Sequence, residues 1–574
     1  MKSIYKLGLG AAMLGLSLAS CTKGFEDINQ NPQVSPTTSP ELLLTLPGKS
    51  IVDRDFDWFY DCYQYQMQWL QFGVPAPGST VGRLFNPSNT NDFYSAFYKN
   101  IGPNLVDIDT VIARMPEATR ANFAEVGAIA RVMKVYAAWR VSDANGSIPY
   151  TKAFGARYGG TFTPTYDTQE QLFDIWDGEL KAAITAFNSK LPNQQGAQSF
   201  DIFYKGAVAN WAKAANVLRM KLAMRLMKRN ASKATAIIQE VMSSPAGLFA
   251  SNAEEWKFVS GANAFAQAGN WEMTGSVSLV ASKNILDFMQ SNGDPRLNLF
   301  FEKNGYTKEA FDSLKAGGVF SPSATYNDVR YVGLPASPDK RNDASYANYF
   351  TVRNYEMKFT VNGKDTIIKR RIDTISSLQR RMFATGAESI ASPGQYTQPI
   401  LTYAEQCFMI AELAVRGIIT GQDAATWYNN GIKASIAAYD DMGRICFIQN
   451  YAELNQDAVN AYVNNPKIQL TGDQATDLEK IQIQMYLNHF KSPWEAWGSW
   501  KRTGVPKVGS SLLAFEPMVS NGSTATIPRR WALPQPTVVE QTQNWRDAIT
   551  EMQKTGEYGT DVNQYTGRVW WDMQ

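Results

Sequence analysis

Leu18-Ala19-Ser20-Cys21 is a run whose chemistry can be read from residue types and spacing alone. Small residues before a cysteine suit a signal peptidase, and the run has the pattern of a bacterial lipobox, in which the cysteine becomes the acylated first residue. It follows Lys2, Lys6 and an uncharged apolar stretch from Leu7 to Leu18. That stretch is shorter than the about 20 residues a bilayer span requires. Residues 1–20 are therefore expected to be a lipoprotein signal and Cys21 the lipidation site; the alternative is an ordinary secretory signal with a chance cysteine. Several acyl chains on one residue anchor stably, since each buried methylene adds about 0.8 kcal/mol. Cys62, Cys407 and Cys446 remain, too sparse for a disulfide framework. Small core residues are the simplest reading, with a Cys407–Cys446 bridge as the alternative.

Other reactive types are scarce. His489 is the single histidine among 574 residues, which excludes multi-histidine zinc sites and leaves at most one imidazole base. It continues the stripe Leu478, Ile481, Met485 and reads as a core histidine. Gly48-Lys49-Ser50 ends like a phosphate loop, but Leu43 stands where the first glycine belongs. Asp143, Asn145 and Ser147 alternate like calcium ligands, yet the twelfth position is Phe154, so a turn is expected. Gly-x-Ser-x-Gly, His-Glu-x-x-His and Cys-x-x-Cys are all missing from the sequence. Glycoside hydrolysis needs two carboxylates about 5 to 10 Å apart, and 53 acidic residues offer no way to choose a couple. A formal charge of +2 without a long basic run argues against a nucleic-acid partner. Aromatics make up 12% of the chain, with fifteen Trp, either as stacking faces for sugars or as core.

The elements that must position such groups are mostly helical. Length alone allows two to four domains. Residues 21–40, with Pro32, Pro36 and Pro40, read as an extended tether. Phe123, Val126, Ala130, Met133 and Ala137 recur at helical steps. Thr168 and Gln171 have capping-box spacing ahead of Leu172, Trp176, Leu180, Ile184, Phe187 and Leu191. Further helices are expected around Val208–Leu226, Lys233–Met242, Tyr403–Ile418, Ala424–Tyr439 and Gln474–Phe490. Helix pairs with short links suggest tetratricopeptide-like hairpins, although no strict 34-residue repeat is present. Between about 250 and 400 the composition turns to Gly, Asn, Ser, Pro and Tyr, with one legible β-hairpin about Asn362-Gly363.

An ordered set of motifs now carries a resemblance. Cys21-Thr22-Lys23-Gly24-Phe25-Glu26-Asp27-Ile28-Asn29 opens it, and Asp143-Ala144-Asn145-Gly146-Ser147-Ile148-Pro149-Tyr150 is a turn motif with Ser147 where an acidic residue is common. Trp211 to Asn216 with Arg219 and Arg225, Asp294-Pro295-Arg296-Leu297, Thr402 to Glu405 with Glu412, Trp494 to Trp497 with Arg502, Ile527 to Arg530 and Val569 to Asp572 follow in order. Together they resemble the SusD/RagB family of Bacteroidota outer-membrane lipoproteins, in its SusD-like subgroup. The resemblance implies a mostly α fold: a tetratricopeptide-like scaffold, roughly 100–245 and 400–492, with loop-rich insertions and minor β-hairpins, in one ligand-binding domain over 41–574. It implies no cofactor, no metal and no catalysis. It also implies a SusC-like TonB-dependent transporter as partner, over which the lipoprotein sits as a hinged lid at the cell surface.

The family motifs read as scaffold; Arg529 and Arg530 are expected to form internal ion pairs or to stack on Trp531. Ligand contacts are expected from loop aromatics and their polar neighbours instead: Trp69, Phe72, Arg83, Phe85 and Asn86 in one stretch, then Tyr326, Tyr331, Tyr346, Asn348 and Tyr349, with Tyr396 further on. Ring faces would stack on a sugar while Arg and Asn bond its hydroxyls. Capture of oligosaccharides is the first expectation, capture of peptides by the same architecture the alternative, and a surface glycosidase the third.

Overall fold

The structure, a computed structural model, describes residues 38–52, 57–76, 84–88, 90–261, 279–341, 343–346, 353–383, 394–448 and 451–573. Residues 1–20, Cys21 and nearly all of the expected tether lie outside the described residues, as do Arg83, Asn348 and Tyr349.

Two series of helices carry the fold. The first comprises α1 (Gly102–Arg114), α2 (Ala124–Asn145), α3 (Gln169–Asn188), α4 (Val208–Leu226) and α5 (Ala231–Ser243), each packed on the next. A short α6 (Lys308–Ala316) intervenes. The second comprises α7 (Tyr403–Val415), α8 (Ala424–Ile445), α9 (Gln474–Asn488) and α10 (Pro493–Thr503). Helix α7 packs on both α8 and α9, and α4 touches α7 to join the series.

Caps set the starts. Thr168 and Gln171 form both halves of the expected capping box. Thr402, Asp423 and Asp473 each accept from the backbone N–H three residues on, to open α7, α8 and α9. One such cap contributes about 1 kcal/mol. The α3 stripe is buried through Phe187, but the helix stops at Asn188 and leaves Leu191 exposed. The expected stripe is thus one residue too long, because Leu191 precedes Pro192 and a residue before proline is driven out of the α region.

Among the described residues, four strands lie wholly and a fifth mostly in the stretch expected to be loop-rich. β1 (Gly73–Pro75) pairs antiparallel with β3 (Leu279–Ala281), and β2 (Trp256–Val259) pairs with β6 (Thr397–Leu401). β4 (Arg353–Val361) and β5 (Lys364–Ile372) form the expected hairpin, with Asn362 and Gly363 at φ 52° and 73° as a type I′ turn requires. Met357 and Ile372 on its inner face pack on Ala310 and Leu314 of α6.

Apolar side chains gather in two large clusters. One fills the space among α2 to α5 and α7. The other lies under β1 and β3, between residues 57–76 and the inner faces of α9 and α10. Cys62, Cys407 and Cys446 are free and buried, so the Cys407–Cys446 bridge is not formed.

The motif residues join these clusters through buried ion pairs. Arg502 grips Glu412 with two 2.6 Å bonds, and Lys221 sits 2.6 Å from Glu405 and 2.7 Å from Glu495. Burial works against both acids, yet Arg502 and Arg416 hold Glu412 down to about 2. Lys221 and His489 hold Glu405 down to about 2 in the same way. His489 is buried 3.3 Å from that carboxylate. Asp143, facing Arg225, and Asn145, reaching Asn91, end α2, so the expected turn begins only at Gly146 and both residues are structural. Arg529 pairs with Asp572 as expected. Arg530 departs from the expectation: it donates to the carbonyls of Tyr558, Asp561 and Val562 and lies over the Tyr558 ring.

Candidate functional site: an aromatic loop face

The π-helical segment Asp57–Gln66 and its α-helical extension Met67–Trp69 carry Tyr65 and Trp69 one turn apart. Trp69 Nε1 donates to the Leu84 carbonyl at 2.7 Å. The Tyr65 hydroxyl donates to the Ser88 carbonyl at 2.8 Å and accepts from the Ser88 N–H at 3.0 Å. These two pins hold residues 84–88 against the second core, with Phe85 half-buried and Asn86 exposed.

A second segment approaches the same core. Tyr331 and Tyr346 are both half-buried and packed against it. Glu516 positions the chain between them, accepting from the N–H groups of Ala336 at 2.5 Å and Ser337 at 3.1 Å and pairing with Lys340 at 2.9 Å. Gln71 fixes Glu516 in turn: its amide donates to the Glu516 carbonyl at 2.8 Å and accepts from the Glu516 N–H at 2.9 Å. Arg341 donates to the Pro75 carbonyl at 3.3 Å, tying the segment to β1. Burial pushes its guanidinium down to about 10, against the pull of Glu516. Burial also raises the Tyr331 phenol, which stays a neutral donor and acceptor at physiological pH.

Of the residues singled out from sequence, Phe85, Tyr331 and Tyr346 are half-buried against the second core, and Asn86 is exposed next to Phe85. Three others are corrected by burial. Trp69 is 0% exposed, in a cluster with Trp497 and Trp531. Phe72 is 0% exposed and stacks on Tyr486 at 4.3 Å. Tyr396 is 3% exposed, donates to Gln398 at 2.6 Å and lies under Lys491. A ring enclosed on both faces offers no platform to a ligand, so these three support the surface from beneath. Tyr326 belongs elsewhere: it stacks on Tyr306 and Phe311 beside the hairpin and donates to Asp328 at 2.7 Å. Sequence reading missed Gln71, Lys340, Arg341 and Glu516. Nothing local marks them, since their partners lie far along the chain.

Residues 34–534 match the SusD-like family model, described as starch-binding and associating with the outer membrane. The chain belongs to this family. This chain's mostly helical fold matches solved SusD-like structures. A SusD homologue from Bacteroides fragilis gives a TM-score of 0.68 at 19% identity, with 93% of this chain and 100% of that chain covered. A chitin-binding protein gives 0.67 at 22% identity over 93% and 100%. A chitin-binding SusD homologue from Flavobacterium johnsoniae gives 0.59 at 20% identity over 93% and 97%. At these identities the likeness is one of fold. No curated protein matches. No helix among the described residues is long and apolar enough to cross a membrane.

Proposed function

We propose that this SusD-like chain is a lipid-anchored protein of the outer membrane, facing the cell exterior, that captures oligosaccharides. Cys21 carries the anchor, and the partner is a SusC-like TonB-dependent transporter over which the chain closes as a lid. The observation that carries the reading is the loop face. Tyr331, Tyr346 and Phe85 are half-buried against the second core, and the bonds to Glu516, Trp69 and Tyr65 that hold their segments run largely through backbone. A pyranose stacks its C–H face on such rings and offers hydroxyls to Asn86. Rigid aromatics bind at low conformational cost. The reading assigns the chain binding without bond cleavage.

Calorimetric titration of the purified protein with soluble starch and chitin oligosaccharides tests it. Binding is expected, and Tyr331→Ala is expected to weaken it with the melting temperature nearly unchanged. Failure to bind any member of the panel, or binding of peptides in its place, overturns the sugar reading. Release of reducing ends by the protein alone overturns the non-catalytic one. Cys21→Ser is expected to free the protein from the membrane fraction.

A further inference from the structure

A pocket of about 550 Å3 opens away from these residues, between three segments distant in the chain. Ligand pockets of about 300 to 1,000 Å3 are typical. The first wall is the helical turn through Asp92–Ile101, which presents Tyr94 and Tyr98 one turn apart, ring centroids 4.6 Å from each other. The second is the loop after α2. There Phe154 packs on Tyr98 at 5.6 Å, with φ at 64°, in the left-handed region that a bulky side chain rarely adopts. Gly102 makes room for it, since a Cβ there would fall 2.2 Å from the Phe154 ring. Tyr166 closes this wall, packed with Tyr94 against the same small apolar cluster. The Ile148–Asp167 bridge holds the loop shut behind it. The third wall is the segment 534–541, with Gln535 and Thr537 at the rim. Gln541 of this wall donates to the backbone carbonyl of Phe162 at 2.8 Å, and the Phe162 ring is 75% exposed.

We infer that this pocket is a second binding site, built for a neutral saccharide. Three tyrosines and Phe154 supply apolar walls for pyranose C–H faces, and Ser95, Gln535 and Thr537 supply neutral donors and acceptors for hydroxyls. Lys99 is the one charged group among the described residues lining it, so a charged ligand would find little compensation. Backbone strain at Phe154 is maintained by the packing around it, as is common where a site is organised before its ligand arrives. The pocket shares no residue with the loop face, so each site can be disabled alone.

The full-length protein in detergent, carrying Tyr331→Ala and Tyr346→Ala to disable the loop face, is titrated calorimetrically with maltotriose, chitotriose, cellotriose and xylotriose. At least one is expected to bind. Thr537→Trp, which fills the mouth from an exposed position, should weaken it by at least about tenfold, and Phe162→Ala by about threefold. Both substitutions are at surface positions, and unchanged melting curves confirm folding. Binding of none of the four sugars to the loop-face variant overturns the inference. So does equal binding by a folded Thr537→Trp protein, or occupancy of the pocket by a proline-rich peptide instead. The loop-face reading is judged separately, by wild type against the Tyr331→Ala, Tyr346→Ala protein.

Discussion

In the helical scaffold Glu412 meets Arg502 side chain to side chain, through two 2.6 Å bonds. On the loop face Glu516 gives one oxygen to the backbone N–H groups of Ala336 and Ser337. The first arrangement spends both polar groups inside the scaffold, Glu412 on Arg416 and Gln482 as well, and stabilises the packing of α7 against α10. The second uses one carboxylate oxygen to fix main chain, with Lys340 on the other. The same contrast separates Trp69 from Tyr331. Trp69 spends its N–H on the Leu84 carbonyl and is wholly enclosed by neighbours, whereas Tyr331 is half-buried. A rigid platform for ligand therefore needs two tiers: enclosed residues that hold the backbone, and half-enclosed ones that meet the cargo.

Four experiments test the contrast between the two tiers. Trp69→Ala should destabilise the fold by about 3 to 5 kcal/mol and loosen residues 84–88, read as a lower midpoint in chemical unfolding. Retention of wild-type stability would return Trp69 to the ligand tier. Arg502→Met leaves Glu412 buried without its main partner and should cost about 3 to 5 kcal/mol, with sugar affinity preserved wherever the protein is folded. A parallel loss of affinity in the folded variant would show that scaffold and loop face are not separable.

Acid titration probes the scaffold tier as a whole. Glu405 and Glu412 are held down to about 2 in the folded chain, against about 4.3 for a free glutamate. Between those values the unfolded chain binds more protons, so their stabilisation is complete above about pH 4.3 and is lost as pH falls toward 2. Unfolding midpoints followed from pH 7 to 2 should drop in that window and flatten for Glu412→Gln. Last and smallest, Tyr331→Ala should cost about 0.5 to 1.5 kcal/mol of sugar binding, a few-fold to tenfold rise in Kd by titration. Its melting temperature should move little.

Legibility followed the range of the forces. The capping box at Thr168, the Asn362-Gly363 turn and the α4 stripe from Trp211 to Leu226 depend on neighbours within four residues, and all three are present. Helix α3 overran only where Leu191 meets Pro192. The aromatic candidates were harder. Trp69, Phe72 and Tyr331 have equal affinity for a sugar face and for a core, and their local sequences do not distinguish the two environments.

The family, the helical series, the hairpin and the lack of any recognisable catalytic motif were legible in the amino-acid chain, because periodicity, caps and ordered short motifs are written in adjacent residues. Which aromatics lie beneath the loop face and which lie on it was decided only in three dimensions. The pairing of Gln71 with Glu516, and of residues 92–101 with 534–541 around the pocket, joins segments over 400 residues apart. Burial is a property of what packs from the far side, and no local pattern encodes it.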